Sequence, residues 1–332
     1  MTQSGRRTLR DVAVAAGVSE MTVSRVLSGT GVVSERTRAR VRAAVDDMGY
    51  VRNRLAGSLA RARSDQVAVV IPSLVNAIFD EVIDGLSQEL SRADYNPVIG
   101  ISDYDEAREE ALIRSMLSWR PAGVVLPAIG HTVRTTAMLG AAGVPIVEIM
   151  NTGRPSAGIA VGFDQREAGA ALGRHLLSRG RRRVGWIGLD PRDLSASARL
   201  DGLCETLRGV ASVMLPKAVA GPITLSGGRD GLAALLAERP DLDAVVFAND
   251  TAAAGGMMHC LAAGIAVPER LALVGFGGLL SGQALPRRLT TIAAPRRRIG
   301  QRAATCILRS LEGAQVERIN DMGFDLIQGE TT

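Results

Sequence analysis

From Gln66 onward, short apolar runs alternate with amphipathic helical stretches, and this alternation constrains the fold more than any other feature of the chain. Apolar runs at 67–72, 96–101, 123–126 and 145–149 predict strands, with helices expected between them at 77–93, 106–119 and 133–142. Runs at 184–188, 244–248 and 271–276 repeat the theme. Repeated strand-helix alternation builds parallel sheets covered by helices on both faces. Roughly 270 residues of this pattern exceed what one such sheet commonly organises, so two lobes are expected.

The whole chain, 332 residues at 46% hydrophobic and 22% charged, holds more apolar material than one core usually organises. No stretch of about twenty strongly apolar residues occurs. The nearest, 252–268, is mostly Ala and Gly with His259 inside it and reads as a buried helix, so no membrane partner is expected. The opening MTQSGRRTLRD lacks the apolar core of a secretory signal, which predicts a cytoplasmic location. Cys204, Cys260 and Cys306 stand far apart, as small buried residues in a reducing compartment do, and no zinc site is expected. GFGGLL at 275 lacks the spacing and the helix start of a nucleotide fingerprint. His131, His175 and His259 read as isolated, no G-x-S-x-G occurs, and no carboxylate pair stands out. The residues therefore offer an enzyme no visible catalytic centre, and neither metal nor cofactor is expected.

Charge divides unevenly. The first 63 residues carry twelve arginines against five acids, whereas the remainder carries 27 bases against 29 acids. A basic head on a slightly acidic body points to a polyanion partner for the head. Thr8 starts a helix with Leu9, Val12, Ala13 and Ala16 at helical spacing, and Gly17 ends it. Ser19 opens a second helix that turns Val23, Val26 and Leu27 inward and leaves Glu20, Met21, Thr22, Ser24 and Arg25 on or near its outer face. Two short helices about a Gly turn form a helix-turn-helix, whose second helix fits the major groove. Ser34 caps a third helix over 35–48, with Val41, Val45 and Met48 completing the core before Gly49. The segment 53–60 has material for two helical turns, too short and too Gly-interrupted to be stable alone.

TLRDVAVAAGVSEMTVSRVLSG, followed by VSERTRARVRAAVDDMGYVRNRLAGSLA, resembles the DNA-binding head of the LacI/GalR family of bacterial repressors. The resemblance implies that Glu20, Met21 and Arg25 face base edges, with Arg25 chemically suited to guanine, Glu20 to cytosine and Met21 to a thymine methyl. It places Thr8, Ser19, Thr22, Ser24 and the amides near Ser34 on phosphates. A family Asn after that helix is Ser28 here, which puts one backbone contact in doubt. By the same resemblance, Asn53 belongs to a hinge helix that orders on operator DNA, and Leu59 is a wedge into the minor groove.

The resemblance extends across the body, where the family carries a two-lobed effector domain similar to periplasmic sugar-binding proteins. The implied architecture is an N-terminal three-helix helix-turn-helix head plus a periplasmic-binding-protein-like pair of doubly wound parallel sheets. Residues 1–50 would form the head, 51–63 the hinge and linker, and 64–332 the effector and dimerisation domain. Within that domain, one lobe would span about 64–163 plus 292–324 and the other 164–291 plus 325–332. SMLSW at 115, VPIVEIMN at 144, AVGFDQ at 160, FANDTAAAG at 247 and VGFGG at 274 look most like the gluconate-utilisation repressors.

Carried over by position, the effector site would hold Ser73 and Phe79 from the first lobe and Ser195, Arg199 and Asn249 from the second. Arg199 has the fork to grip a carboxylate or vicinal hydroxyls, unless it forms a surface ion pair with Asp201 or Glu205. Many sugar-binding relatives have an Asp near Gly277; its absence here fits a ligand that is itself an anion. Ile223 replaces a stacking aromatic, which favours an open-chain polyol. Glu148 would either accept from the ligand's far hydroxyls or serve a buried capping role. The implied partners are palindromic double-stranded operator DNA, a sugar-acid effector such as gluconate, and a second copy of the chain as homodimer. A neutral sugar, a corepressor, or a sugar-binding protein without DNA function are the alternatives.

Overall fold

The structure is a computed structural model that describes residues 7–29, 31–51, 64–74, 77–128, 130–153, 157–189, 193–208, 210, 214–220 and 223–332. The expected hinge residues Asn53 and Leu59 lie outside the described residues. The chain divides into two units, 1–64 and 65–332.

In the first unit, α1 (Leu9–Ala16), α2 (Glu20–Ser28) and α3 (Glu35–Met48) pack about Val12, Ala13, Ala16, Val23, Val41 and Ala44. Each helix start has a hydroxyl cap: Thr8, Ser19 and Ser34 accept from the amides of Asp11, Thr22 and Thr37. At Thr8 the cap is reciprocal, since Asp11 Oδ2 accepts from the Thr8 amide at 2.8 Å. These bonds hold the exposed Asp11 carboxyl below its ordinary range.

The second unit contains two six-stranded sheets. The first comprises β1 (Gln66–Ile71), β2 (Asn96–Ile101), β3 (Gly123–Pro127), β4 (Ile146–Ile149), β5 (Ile159–Gly162) and β11 (Ile319–Asp321), in the order β11-β5-β4-β3-β1-β2, all parallel. The second comprises β6 (Arg183–Leu189), β7 (Met214–Ala220), β8 (Ala244–Phe247), β9 (Ala272–Phe276), β10 (Thr290–Ala293) and β12 (Asp325–Ile327), in the order β12-β10-β9-β8-β6-β7. Only β12 runs antiparallel to its neighbour among these described pairs. Both orders reverse direction beside their first strand, and a crevice opens at the strands' carboxyl ends where such a reversal occurs.

Helices α4 (Asp80–Arg92) and α12 (Arg296–Leu311) cover one face of the first sheet, and α5 (Glu106–Ser118) and α6 (Val133–Ala141) the other. On the second sheet, α7 (Gln165–Ser178) and α8 (Leu194–Leu207) oppose α9 (Leu225–Glu238) and α10 (Asp250–Ala263). A four-residue helix, α11 (Leu280–Gln283), follows β9. The helix expected from 77 begins at Asp80, because Phe79 takes the cap position with no side-chain acceptor and 77–79 form a turn. Strand β10 stays in the second sheet to Ala293, so that crossover comes later than the expected boundary at 292.

The chain passes between the sheets three times, after β5, after β10 and between β11 and β12. Phe163, in the first passage, stacks with Phe276 at 6.1 Å and packs on Phe324 of the third at 5.9 Å. One apolar cluster thereby runs through both lobes, from Val67, Val69 and Ile71 to Trp186, Val246 and Val274.

Candidate functional site

The outer face of α2 is set by its caps and by the turn before it. Gly17 takes φ +61°, a left-handed conformation that costs other residues about 1–2 kcal/mol. Arg40 of α3 reaches across and donates from Nη2 to the Ala16 carbonyl and, at 3.1 Å, to the Gly17 carbonyl. A clamp on these orphan carbonyls fixes the angle between α1 and α2. Val23 then faces inward, leaving Glu20, Met21 and Arg25 exposed and Thr22 and Ser24 half-buried. Met21 is 63% exposed on this face, between Glu20 and the half-buried Thr22.

Between the lobes lies a cavity lined by residues of both sheets. Its walls come from strand ends: Pro72 after β1, Pro127 of β3, Ile149 and Met150 at β4, Ala248 after β8 and Phe276 of β9. Ile78 and Phe79 enter from the first lobe, and Asp193, Ser195, Arg199 and Ile223 from the second.

Arg199 is the buried cation of this cavity, 4% exposed. Its Nη1 donates to Gln165 Oε1 at 2.7 Å, and its guanidinium lies 4.1 Å above the Phe276 ring. Gln165 is itself held by a 2.5 Å bond from Nε2 to the Met150 carbonyl. Close helix packing fixes the backbone: a methyl group on Gly169 of α7 would overlap the Arg199 carbonyl, and one on Gly202 the Arg166 carbonyl. Burial lowers the Arg199 guanidinium below its usual range, opposed by Asp193 and then Tyr104. Arg199 Nε has no partner among the described residues. A buried donor left open costs free energy that an anionic acceptor in the cavity would recover.

Tyr104 also lines the cavity, at φ +57° directly after Asp103 at φ +53°. Two successive non-glycine residues in this region store strain, and Arg108, which pairs with Asp103, helps hold them there. Asp193 caps α8 by accepting from Ala196 N at 3.0 Å.

Residues 64–326 match the family described as periplasmic binding proteins and sugar binding domain of LacI family, and residues 8–53 match the bacterial regulatory proteins of the lacI family. The chain belongs to the LacI family. The HTH-type transcriptional regulator GntR of Pseudomonas aeruginosa is 38% identical over 99% of this chain and 96% of its own length. GntR of Escherichia coli strain K12 is 34% identical over 98% of each. Among solved structures, a LacI-family transcriptional regulator from Silicibacter pomeroyi superposes with a TM-score of 0.92 at 42% identity, covering 98% of this chain and 99% of that one. The chain is thus a DNA-binding transcriptional regulator, and its relatives are regulators and not enzymes.

In this LacI-family chain, the cleft brings together Phe79, Ser195, Arg199 and Ile223 of the expected residues. Ser73, Asn249 and Gly277 are not among its lining residues. Asn249 caps α10, its Oδ1 accepting from Ala252 N at 2.8 Å while Nδ2 reaches the Ile223 carbonyl at 3.4 Å. Gly277 gives its carbonyl to Arg296 Nη1, and Arg296 Nη2 donates to Glu81 Oε1 at 2.8 Å, a tie between the lobes. The surface ion pair weighed for Arg199 does not form; Asp201 and Glu205 both pair with Arg166.

Glu148 does not face the cleft, because the alternation of β4 turns it to the opposite side of the sheet from Val147 and Ile149. There its Oε2 accepts from Ala157 N at 3.0 Å and Gly158 N at 3.3 Å, and Oε1 lies 3.4 Å from His131 Nε2. His131 is not isolated, since its Nδ1 meets Glu109 Oε1 at 2.6 Å. Burial opposes the charged imidazole, but the hydrogen bond to Glu109 and the Glu148 carboxylate beside Nε2 outweigh it and push His131 up to about 9.

Sequence reasoning missed Tyr104, Gln165, Asp193 and Phe276 in the cleft and Arg40 at the turn. Asp193 carried a signal, an acid just before a helical run, as N-caps are. Gln165 and Arg40 act on partners 34 and 23 or more residues away, which no local pattern encodes.

Proposed function

We propose that this regulator binds a palindromic operator as a homodimer and releases it when a sugar acid of the gluconate type enters the interlobe cleft. The observation that carries the ligand class is Arg199: buried, stacked on Phe276, unmatched by Asp201 or Glu205, and with Nε unpartnered among the described residues. A carboxylate fits that guanidinium edge, and the polyol tail of an open-chain acid has Asp193, Ser195 and Tyr104 as hydroxyl partners. The cavity carries three aromatic side chains, Phe79, Tyr104 and Phe276, and the face of Phe276 is already covered by the Arg199 guanidinium.

At the DNA, Arg25 is the reader of guanine, with Glu20 and Met21 beside it, while Thr8, Ser19, Thr22, Ser24 and the amides near Ser34 hold phosphates. One helix-turn-helix reads a half-site, and two copies reading half-sites one DNA turn apart gain affinity by linkage. Ligand and operator are coupled through lobe closure, and whatever factor one takes from the other's affinity is reciprocal.

Calorimetry of the purified chain against D-gluconate and D-glucose tests the ligand class. Binding of gluconate alone supports it, and binding of glucose alone overturns it. Footprinting tests the DNA role: protection of a symmetric site that gluconate abolishes is expected, and protection that gluconate strengthens would reverse the assigned sign.

A further inference from the structure

We propose that the buried Glu109, His131 and Glu148 side chains position the loop between β3 and α6 so that Gly130 seats Leu194 at the rim of the cleft, which makes His131 a positioning residue for closure of the two lobes. This rests on the reading of the interlobe cleft as the effector site.

The three side chains come from three elements of the first lobe: α5, the loop after β3, and β4. Their side chains are 4%, 0% and 1% exposed, so water does not compete for the bonds. Glu109 holds Nδ1, Glu148 stands at Nε2, and Glu148 also binds the loop before β5 through Ala157 and Gly158. The imidazole is thus threaded between two anchored carboxylates. The groups lie in sequence rather than converging, and among the described residues no cluster of His, Cys, Asp and Glu is arranged to hold a metal. The next charged group on α5, Glu110, is engaged by Arg114 at 2.6 Å and by Arg134 of α6 at 3.5 Å.

The cluster lines no part of the cavity, but its neighbour in sequence does reach the other lobe. Gly130 has φ +89°, and a methyl group on it would lie 2.5 Å from Leu194 Cδ1. Leu194 is the first residue of α8 and stands between Asp193 and Ser195, which both line the cavity. Any displacement of His131 therefore moves Gly130 against the helix end that carries two ligand-facing residues. Elsewhere the lobes are tied by Arg296 between Gly277 and Glu81, whereas Gly130 and Leu194 meet in an apolar contact. An apolar contact has no bond to hold its own geometry, so its alignment depends on how firmly the loop behind it is pinned.

Hydrogen exchange on the full chain, without ligand, tests the assignment in wild type, His131→Gln and Glu109→Gln. His131→Gln should speed exchange at least tenfold both in 130–135 and across the cleft in 193–198, with α9 and α10 unchanged. Acceleration confined to 130–135 would overturn the coupling. Should His131→Gln fail to fold, Glu109→Gln decides, because it removes the carboxylate at Nδ1 without touching Gly130 or Leu194: faster exchange at 193–198 with α5 still protected supports the proposal, and wild-type exchange there overturns it. A parallel titration with D-gluconate should show at least a tenfold weaker Kd in both variants. If wild type gives no heat with gluconate, the ligand reading fails while the exchange result still decides the positioning role.

Discussion

Replacing His131 by Gln isolates the contribution of one buried imidazolium to stability. In the folded chain the group is raised from 6.5 to about 9, so folding takes up a proton wherever the pH lies between these values. A raised group stabilises fully below its unfolded value and loses that stabilisation as pH climbs through its folded value. The difference corresponds to about 3 kcal/mol at pH 6, falls to about 2 kcal/mol near pH 7.5, and approaches zero by pH 10. Glu109 and Glu148 supply the stabilisation from opposite sides, against the penalty of burial. Urea unfolding of wild type and His131→Gln across pH 6–10 measures it, and the pH dependence of their difference cancels groups that do not touch His131. A wild-type advantage that shrinks between pH 7 and 10 is expected. A difference that is flat across this range would refute a charged imidazole in the folded chain.

Arg25→Ala should weaken operator binding by about 1–3 kcal/mol, with little change on random DNA. Equal losses on both, measured by fluorescence anisotropy, would make it a phosphate contact. Arg199→Ala should raise the calorimetric Kd for gluconate by more than tenfold, since it removes a nearly fully buried guanidinium; an unchanged Kd would place the carboxylate elsewhere. Gly17→Ala meets both the φ penalty and Arg40 Nη2, 2.8 Å from the added methyl. It should lower the exchange stability of α1 and α2 by about 1–2 kcal/mol, and wild-type protection would show that the turn relaxes freely.

The fold was legible where local chemistry and period agree. Thr8, Ser19 and Ser34 are all N-caps, Gly17 and Gly49 are left-handed stops, and the inward positions of α2 follow its 3.6-residue period. The parallel strands read as apolar runs because helices cover both their faces. Strands β11 and β12 span three residues each, too short to show any period, and their place is set by pairing with β5 and β10. The early start assigned to α4 arose because Ala77, Ile78 and Phe79 continue its apolar pattern; Ile78 and Phe79 in fact face the cleft and do not extend the helix.

The site was less legible because side chains there answer to topology. Position alone put Glu148 near the ligand, but a strand residue's face is decided by parity, and Val147 and Ile149 hold the cleft-side core. An acid inside the apolar run of β4 nevertheless announces a buried partner, since an unpaired carboxylate is not tolerated in such a strand. The sequence contained that partner in His131, 17 residues away, but spacing could not join them; adjacent strands did. The same physics distinguishes the two buried charges of this domain. His131 is hydrogen-bonded to Glu109 at Nδ1 and has the Glu148 carboxylate 3.4 Å from Nε2, both in its own lobe, so its charge is spent on holding the scaffold. Arg199 hydrogen-bonds a neutral Gln165, lies over an aromatic face and has Asp193 near it, with its Nε unpartnered among the described residues, so its charge is held less completely than that of His131.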